Sequence, residues 1–146
     1  MQNQKQFISS LLEKNPNAII IGSLGTISYD LDKIEHKNKI CIRGAMGCAM
    51  AVGLGYALNT DKQVIVLIGD GAFLMKAGSA NTIARYAPKN LKVYVLNNGK
   101  HESTGGQETS FNYEGELDIV EIEWSFYSAT KTERLKTRLL MKQNGF

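Results

Sequence analysis

Two apolar runs that each stop at a polar, glycine-containing motif constrain the fold of this chain most strongly. Residues 63–68 lead into Gly-Asp-Gly at 69–71, and residues 93–96 lead into Asn-Asn-Gly at 97–99. Both runs are rich in Val, Ile and Leu, which is typical of the carboxyl end of a buried parallel strand. Residues 72–86 carry a helical pattern, so the segment predicts one strand–helix–strand unit. We therefore expect both motifs at the same edge of one sheet.

The side chains in these motifs predict a site for a cation bound to a phosphate. Asp70 offers a carboxylate oxygen and an Asn offers an amide oxygen, which Mg²⁺ accepts when the phosphates of a ligand complete its octahedron. Backbone N–H groups of a helix that starts after Gly71 would face the same anion. Taken singly, Gly-Asp-Gly is often a plain turn and Asn-Asn-Gly a hairpin turn, so the prediction depends on the two motifs together.

Composition narrows the classes of function. With 146 residues, 43% of them hydrophobic, the chain can form a single domain with its own core. Its net charge of +3 is scattered, which favours a small anionic ligand over nucleic acid. No apolar run reaches the ~18 residues of a membrane span and the amino end lacks a signal-peptide core, so we expect a cytoplasmic protein. Cys41 and Cys48 lack metal-type spacing and are expected to be buried thiols.

The remaining pattern alternates strands with helices, which predicts an α/β three-layer sandwich with an open parallel sheet. Helices are expected at 4–14, 48–58, 117–124 and 132–142, with a short one opened and capped by residues 28–31, and strands at 18–21, 39–43 and 126–129. Residues 100–109 have no apolar period, which predicts a loop that leaves the strand end proposed to hold the metal. The glycines at 22–25 and 53–55 do not complete Gly-x-Gly-x-x-Gly, so NAD binding is less favoured.

The two motifs and the gap between them resemble those of thiamine diphosphate-dependent enzymes. From about residue 19 to residue 142, the order of elements resembles the diphosphate-binding domain of the 2-oxoacid decarboxylases in that superfamily. Residues 43–48, Arg-Gly-Ala-Met-Gly-Cys, and residues 98–107, Asn-Gly-Lys-His-Glu-Ser-Thr-Gly-Gly-Gln, are most similar to the phosphonopyruvate decarboxylases. The sulfopyruvate decarboxylases are the next most similar group.

The resemblance implies thiamine diphosphate and Mg²⁺ as cofactors and a role for each matching residue. Mg²⁺ would be bound by Asp70, the side chain of Asn98 and the carbonyl of Lys100. The residues expected to bind the cofactor are Thr26, Gly44, Ala45, Met46, Gly69, Gly71, Ala72 and Asn98. Within this set, the Gly44 carbonyl would accept from the 4′-amino group of the cofactor, and Met46 would hold its two rings in a bent shape.

Three residues of the segment after Asn98 are expected on the substrate side of the site. His101, Ser103 and Gln107 would surround the distal anion of the substrate, because they leave the metal site on a polar segment. The alternative is that they only brace the loop. Four residues depart from the family pattern: Leu24 replaces a hydroxyl residue, Tyr29-Asp30 replaces an Arg-Glu pair, and Lys100 replaces a small residue.

The resemblance also implies a partner, because the pyrimidine-binding domain and its glutamate for the ring nitrogen N1′ are missing. Glu102 lies on the metal side and does not replace that glutamate. We expect a hetero-oligomer with at least two chains of each kind. The partner would meet the helix 48–58, whose Gly53 and Gly55 predict close packing on the sheet or on another chain, and the sheet edge after Phe146, where a final strand is expected to be missing.

Three functions are consistent with the sequence. The first is the diphosphate-binding subunit of a two-chain decarboxylase that converts phosphonopyruvate to phosphonoacetaldehyde and CO₂, or acts on sulfopyruvate. The second is half of a carboligase of the acetolactate synthase type, and the third is a non-catalytic relative that binds the cofactor. The polar segment after Asn98 favours the first, because it offers contacts for a tetrahedral anion.

Overall fold

The computed structural model describes residues 1–123 of the 146-residue chain. Its elements in chain order are α1 (Gln4–Lys14), β1 (Ile19–Gly22), α2 (Thr26–Asp32), β2 (Lys39–Cys41), α3 (Ala49–Ala57), β3 (Val64–Gly69), α4 (Asp70–Met75), α5 (Gly78–Tyr86), β4 (Leu91–Asn97), β5 (Lys100–His101), a 3₁₀ turn (Glu102–Thr104), β6 (Gln107–Glu108) and β7 (Asp118–Glu121). The strand expected at 126–129 and the helix expected at 132–142 lie outside the described residues.

In the described part of the chain, five strands form one parallel sheet in the order β2-β1-β3-β4-β7. Gly69 at the end of β3 is level with Leu96 near the end of β4. The two polar motifs therefore lie at the same carboxyl edge of neighbouring strands, as the strand–helix–strand prediction required.

Helices cover both faces of this sheet, which confirms the predicted α/β sandwich. On β3, Val66 packs in the cluster that includes residues of α3, α4 and α5, whereas Leu67 packs in the cluster that includes residues of α1 and α2. Residues 64–68 are all fully buried. Because burying each such side chain contributes about 1.5–3 kcal/mol, β3 is the centre of the core, and the cleft described below lies at its carboxyl end.

The single helix predicted for residues 72–86 is two helices in the structure. The backbone leaves helical geometry at Lys76, with φ −141° and ψ 40°, and α5 begins only at Gly78. Gly78 lies two residues after this break, and the low helix propensity of glycine is consistent with an interruption of the helix nearby.

The helix predicted for residues 117–124 is wrong, because residues 118–121 form strand β7 beside β4. Val120 and Ile122 are buried, while Ile119 is 38% exposed and Glu121, between the two buried residues, is also exposed. This alternation of exposed and buried residues, three of them β-branched, is the pattern of a strand with one buried face. The free edge of β4 supplied the hydrogen-bonding partner that the sequence did not reveal.

The loop predicted for residues 100–109 is a short antiparallel hairpin, in which β5 pairs with β6. Gly105 and Gly106, with φ values of 118° and 80°, let the chain reverse after the 3₁₀ turn. We call residues 100–109 the hairpin below. The helix expected to be capped near Ser28 begins at Thr26 instead, and the Ser28 hydroxyl donates to the carbonyl of Ser23 at 2.6 Å.

Close packing was predicted for both glycines of α3 and is confirmed for one. A Cβ atom on Gly53 would lie 2.2 Å from Cγ2 of Val66 in the sheet, whereas a Cβ on Gly55 would meet no described atom within 4 Å. Cys41 and Cys48 are free thiols and only partly buried. Among the residues that the structure describes, no helix is both long and apolar enough to cross a bilayer.

Candidate functional site

A cleft opens at the carboxyl ends of the central strands. The β1–α2 turn, the turn before α3, the start of α4 and the hairpin form its walls. The predicted site residues that line it are Thr26, Met46, Gly69, Asp70, Ala72, Asn98, Lys100, His101 and Ser103. The lining does not include Gly44, Ala45, Gly71 or Gln107.

Asp70 supplies the buried carboxylate of this cleft. It is the first residue of α4, directly after β3, and is only 2% exposed. The hydroxyl of Thr109, which is also buried, donates to Asp70 Oδ2 at 2.5 Å. The end of the hairpin therefore fixes the carboxylate at the tip of the central strand.

The two asparagines at the end of β4, Asn97 and Asn98, point to different places. The Asn97 amide donates to Glu121 of β7 at 2.9 Å, so it is used within the sheet. Asn98 lines the cleft, and its Oδ1 accepts a 2.9 Å hydrogen bond from the backbone N–H of Lys100. The Asn98 side chain is thereby held beside the backbone whose carbonyl was predicted to share a cation with it.

Glu102 is a cleft residue to which the sequence analysis gave no role. Its half-buried carboxylate lies near the side chains of Thr26 and Asn98. Burial raises the pKa of the Glu102 carboxyl above its ordinary value, and the charges of Asp70 and Asp30 act in the same direction, while the polar side chains of Thr26 and Asn98 oppose the rise. Glu102 therefore lies near residues from both sides of the cleft.

His101 lies over the start of α4 and covers Gly71. A Cβ atom on Gly71 would lie 2.6 Å from Nδ1 of His101, so only glycine leaves space for the imidazole. This contact explains why Gly71 does not line the cleft although its neighbours do.

The remaining substrate-side residues occupy different parts of the hairpin. Ser103 lines the cleft at the β1–α2 turn, where its hydroxyl is 3.8 Å from the position that a Cβ on Gly25 would take. Gln107 is exposed and exchanges two hydrogen bonds of 2.8 Å with Thr104, one with its hydroxyl and one with its carbonyl. The structure thus brings His101 and Ser103 to the cleft and Gln107 to the hairpin turn.

Met46 reaches the cleft from a tight turn whose first residues, Gly44 and Ala45, are exposed. The turn is closed by the N–H of Cys48, which donates to the Ala45 carbonyl at 3.1 Å. Gly47 has a φ of 86°, and a Cβ there would lie 2.8 Å from the carbonyl oxygen of Ala72. The turn is therefore packed directly on α4, which places Met46 beside the start of that helix.

Gln4 also lines the cleft, although nothing in the sequence indicated it. Its amide donates to Asp30 at 2.8 Å, and its Oε1 accepts from the Thr26 hydroxyl at 3.4 Å. These contacts join the start of α1 to α2. Because the two segments are far apart in the chain, the contacts leave no local pattern in the sequence.

The donors in the cleft suit a hard cation that is only partly held by protein. Among residues 1–123, no three His, Cys, Asp or Glu side chains lie close enough to hold a metal by themselves. The Asp70 carboxylate, the Asn98 amide oxygen and the Lys100 carbonyl offer oxygen ligands at one strand edge, which is the donor type that Mg²⁺ prefers. The rest of its octahedron would come from water or from ligand phosphates.

Comparison with known proteins identifies the family. The family described as thiamine pyrophosphate enzyme, C-terminal TPP binding domain, matches residues 21–126. The chain belongs to this family. As a TPP-binding domain it has relatives among decarboxylases. It is 44% identical over 100 residues to a phosphonopyruvate decarboxylase of Streptomyces hygroscopicus, and 37% identical over 106 residues to the sulfopyruvate decarboxylase subunit beta of Methanocaldococcus jannaschii.

This TPP-binding domain matches only part of each of those proteins. The alignments cover 68% and 72% of the present chain, but 25% of the Streptomyces protein and 55% of the Methanocaldococcus subunit. A solved structure from Mycobacterium smegmatis, described as a thiamin diphosphate-dependent enzyme, matches with a TM-score of 0.61 at 20% identity, over 73% of this chain and 23% of that one. The structural match supports the same fold.

Proposed function

We propose that this chain is the diphosphate- and Mg²⁺-binding subunit of a two-chain, thiamine diphosphate-dependent decarboxylase of phosphonopyruvate or sulfopyruvate. The observation that carries the proposal is the buried Asp70 carboxylate at the tip of β3, in one cleft with Asn98 and the Lys100 backbone. Mg²⁺ would be held by these three groups and by the diphosphate.

The cleft has room for the diphosphate where the proposal needs it. Gly69 lines the cleft, and no described atom lies within 4 Å of the position that a Cβ would take there. Any side chain at this position would project into the open cleft, so glycine leaves that space to a ligand. Thr26 and Ala72 line the cleft beside it, and we propose that both contact the diphosphate.

We propose that Gly71 and the turn 44–46 contact different parts of the cofactor. The backbone of Gly71 can contribute an N–H group, while its side-chain position is occupied by His101. Met46 borders the cleft and is proposed to contact the cofactor rings. Gly44 and Ala45, which are exposed, would contribute backbone groups to the part of the cofactor that extends out of the cleft.

When bound, thiamine diphosphate supplies the electron sink for loss of CO₂ from a 2-oxoacid. The chain's own residues would hold the cation and orient the ligand: Asp70 and Asn98 would bind the cation, and the hairpin forms one wall of the cleft. Ser103 offers a hydroxyl and His101 an imidazole at the same wall, and we propose that they contact the distal anion of the substrate. Gln107 supports this wall through Thr104.

The names of the relatives favour decarboxylation over the other two functions. The Streptomyces and Methanocaldococcus proteins are named for decarboxylation of phosphonopyruvate and sulfopyruvate, respectively. An acetolactate synthase-type carboligase and a non-catalytic binding protein remain the alternatives. They make different predictions, since the first would form a new carbon–carbon bond and the second would release no CO₂.

A partner would supply the pyrimidine-binding domain. The name subunit beta of the Methanocaldococcus relative implies a second subunit in that protein. In this chain, Leu74 and Met75 near the end of α4 are exposed, at 40% and 60%, and α3 exposes Tyr56 at 41%. We propose that α3 contributes to the surface that meets the partner, in an assembly with at least two chains of each kind.

The test is CO₂ release by the full chain co-expressed with a candidate pyrimidine-domain subunit. Phosphonopyruvate, sulfopyruvate and pyruvate are compared, with and without Mg²⁺ and thiamine diphosphate. The proposal predicts turnover of phosphonopyruvate or sulfopyruvate, and this turnover should depend on both cofactors. Formation of acetolactate from pyruvate would favour the carboligase, and cofactor binding without any turnover would favour the non-catalytic alternative.

A further inference from the structure

We propose that Gln4, the first residue of α1, belongs to the cofactor site and donates a hydrogen bond from its side-chain amide to the diphosphate. This contact rests on the proposed function, because it requires the diphosphate to lie in the cleft. The family match covers residues 21–126, so membership of the family assigns Gln4 no role.

The two ends of the Gln4 amide have different partners in α2. Nε2 donates to Oδ2 of Asp30 at 2.8 Å, and Oε1 accepts from the Thr26 hydroxyl at 3.4 Å. Rotating the amide by half a turn would place its oxygen against the Asp30 carboxylate, which can only accept. The amino group of Gln4 therefore has a defined position at the side of the cleft formed by the β1–α2 turn.

One hydrogen of this amino group remains available to a ligand. A side-chain amide carries two N–H donors, and among residues 1–123 the one acceptor that Nε2 meets is Asp30. Gln4 lines the cleft together with Thr26 and Asp70. Because the oxygens of a diphosphate are charged, they accept stronger hydrogen bonds than neutral groups do. The second N–H of Gln4 is thus a suitable donor in the cleft where we propose that the diphosphate binds.

The two contacts of Gln4 differ in strength, which suits a residue that faces a ligand. The bond to Asp30 is of ordinary length and charge-assisted, whereas the bond to Thr26 is long. The Thr26 hydroxyl can therefore turn to the diphosphate while Gln4 stays in place. This arrangement also gives a role to Asp30, one of the residues that depart from the family pattern, because it holds the Gln4 amide.

The backbone before α1 is anchored by contacts outside the cleft. The N–H of Gln2 donates to the carbonyl of Glu121, and the N–H of Glu123 donates to the carbonyl of Gln2, both at 3.1 Å. Gln2 thereby forms a parallel bridge at the end of β7, and the side chain of Asn3 caps α1. The sheet and the helix cap together fix the position of Gln4.

The experiment measures thiamine diphosphate affinity by calorimetry at saturating Mg²⁺, using the full chain assembled with its partner. Gln4→Ala should lower the affinity about tenfold or more, the typical effect of losing a hydrogen bond to a charged group. Gln4→Lys should bind at least as tightly as the wild type, because its ammonium can donate both to Asp30 and to the diphosphate. Gln6→Ala is the matched control: it removes an exposed glutamine from the same helix and should leave the affinity unchanged.

Three results would overturn the inference. Unchanged cofactor affinity in Gln4→Ala would show that Gln4 does not contact the diphosphate, and a raised KM for phosphonopyruvate in that variant would place it beside the substrate instead. Equal losses in Gln4→Ala and Gln4→Lys would mean that Gln4 acts only by holding Thr26, since lysine cannot accept from the hydroxyl. Equal losses in Gln4→Ala and Gln6→Ala would indicate a general disturbance of α1.

A second ligand locates the contact. Inorganic pyrophosphate with Mg²⁺ lacks the rings of the cofactor, so Gln4→Ala should weaken its binding by the same factor as that of thiamine diphosphate. An effect seen only with thiamine diphosphate would assign Gln4 to the rings and contradict the proposed contact.

CO₂ release from phosphonopyruvate and sulfopyruvate, measured on the same proteins, separates this inference from the proposed function. Cofactor binding that depends on Gln4 without CO₂ release would leave the contact standing while the decarboxylase assignment fails. CO₂ release with cofactor affinity that does not depend on Gln4 would do the reverse. A wild type that binds neither thiamine diphosphate nor pyrophosphate would overturn both.

Discussion

The hydroxyl of Thr109 donates a 2.5 Å hydrogen bond to the carboxylate of Asp70, which joins the far end of the hairpin to the tip of the central strand. Both residues are buried, with exposures of 7% and 2%. Asp70 is the one buried carboxylate among residues 1–123, and it is thus oriented by a segment 39 positions away in the chain.

Replacing Thr109 by Val should weaken cation binding without changing the shape of the side chain. The Asp70 carboxylate would lose its partner, and loss of such an orienting contact typically costs about tenfold or more in metal affinity. Thr109→Ser keeps the hydroxyl and is the control. Calorimetry with Mg²⁺ and thiamine diphosphate that gives equal affinities for the Val and Ser variants would contradict this role.

The two glycines of α3 should respond in opposite directions to alanine. Gly53→Ala places a methyl group 2.2 Å from Val66, so the helix must move from the sheet, at a cost of about 1–3 kcal/mol. Gly55→Ala meets no described atom and should stabilise the helix by about 0.5–1 kcal/mol. Urea denaturation of the full chain measures both; destabilisation by Gly55→Ala would indicate that this face of α3 is packed in solution.

Gly71 and His101 should behave as a coupled pair. Gly71→Ala directs a methyl group at the imidazole, which must leave the start of α4, at a cost of about 1–3 kcal/mol. In the double variant with His101→Ala the obstacle is gone, so the cost of Gly71→Ala should largely disappear. Unfolding free energies that simply add in the double-mutant cycle would show that the contact is absent.

The sequence predicted the central parts of the fold and left out those that depend on distant contacts. The two strand tips and their shared edge followed from apolar runs that stop at Gly69 and Asn97, since a buried parallel strand has a local pattern. The strand at 118–121 did not, because its short β-branched segment is compatible with a helix until the free edge of β4 is known.

The cleft residues also divide into those that a local motif predicts and those that depend on distant contacts. Asp70, Asn98 and Met46 were predicted from motifs, and the structure places all three in its lining. Gln4 and Glu102 were given no role, because their places in the cleft depend on the way the fold brings them close to Thr26. One general signal did exist for Glu102, because it is the first of two acidic residues in a polar segment beside the predicted metal ligands.

Ser103 and Gln107, predicted together as substrate-side residues, should now separate kinetically. Ser103→Ala in the assembled enzyme should raise KM for phosphonopyruvate or sulfopyruvate more than for pyruvate, which lacks the distal anion. The reason is that the Ser103 hydroxyl lines the cleft. Gln107→Ala should affect both substrates equally, since its bonds are to Thr104. A substrate-selective effect of Gln107→Ala, or none for Ser103→Ala, would contradict these assignments.

The most direct measurement is the Mg²⁺-dependent binding of thiamine diphosphate by the assembled protein, compared between the wild type and Asp70→Asn. Asparagine preserves the size of the side chain and can still accept from Thr109, so the fold should be retained while the charged cation ligand is lost. We predict saturable binding that requires Mg²⁺ in the wild type and no measurable Mg²⁺-dependent binding in the correctly folded variant. Equal cofactor affinity in both proteins would contradict the assignment of this cleft as the diphosphate and metal site.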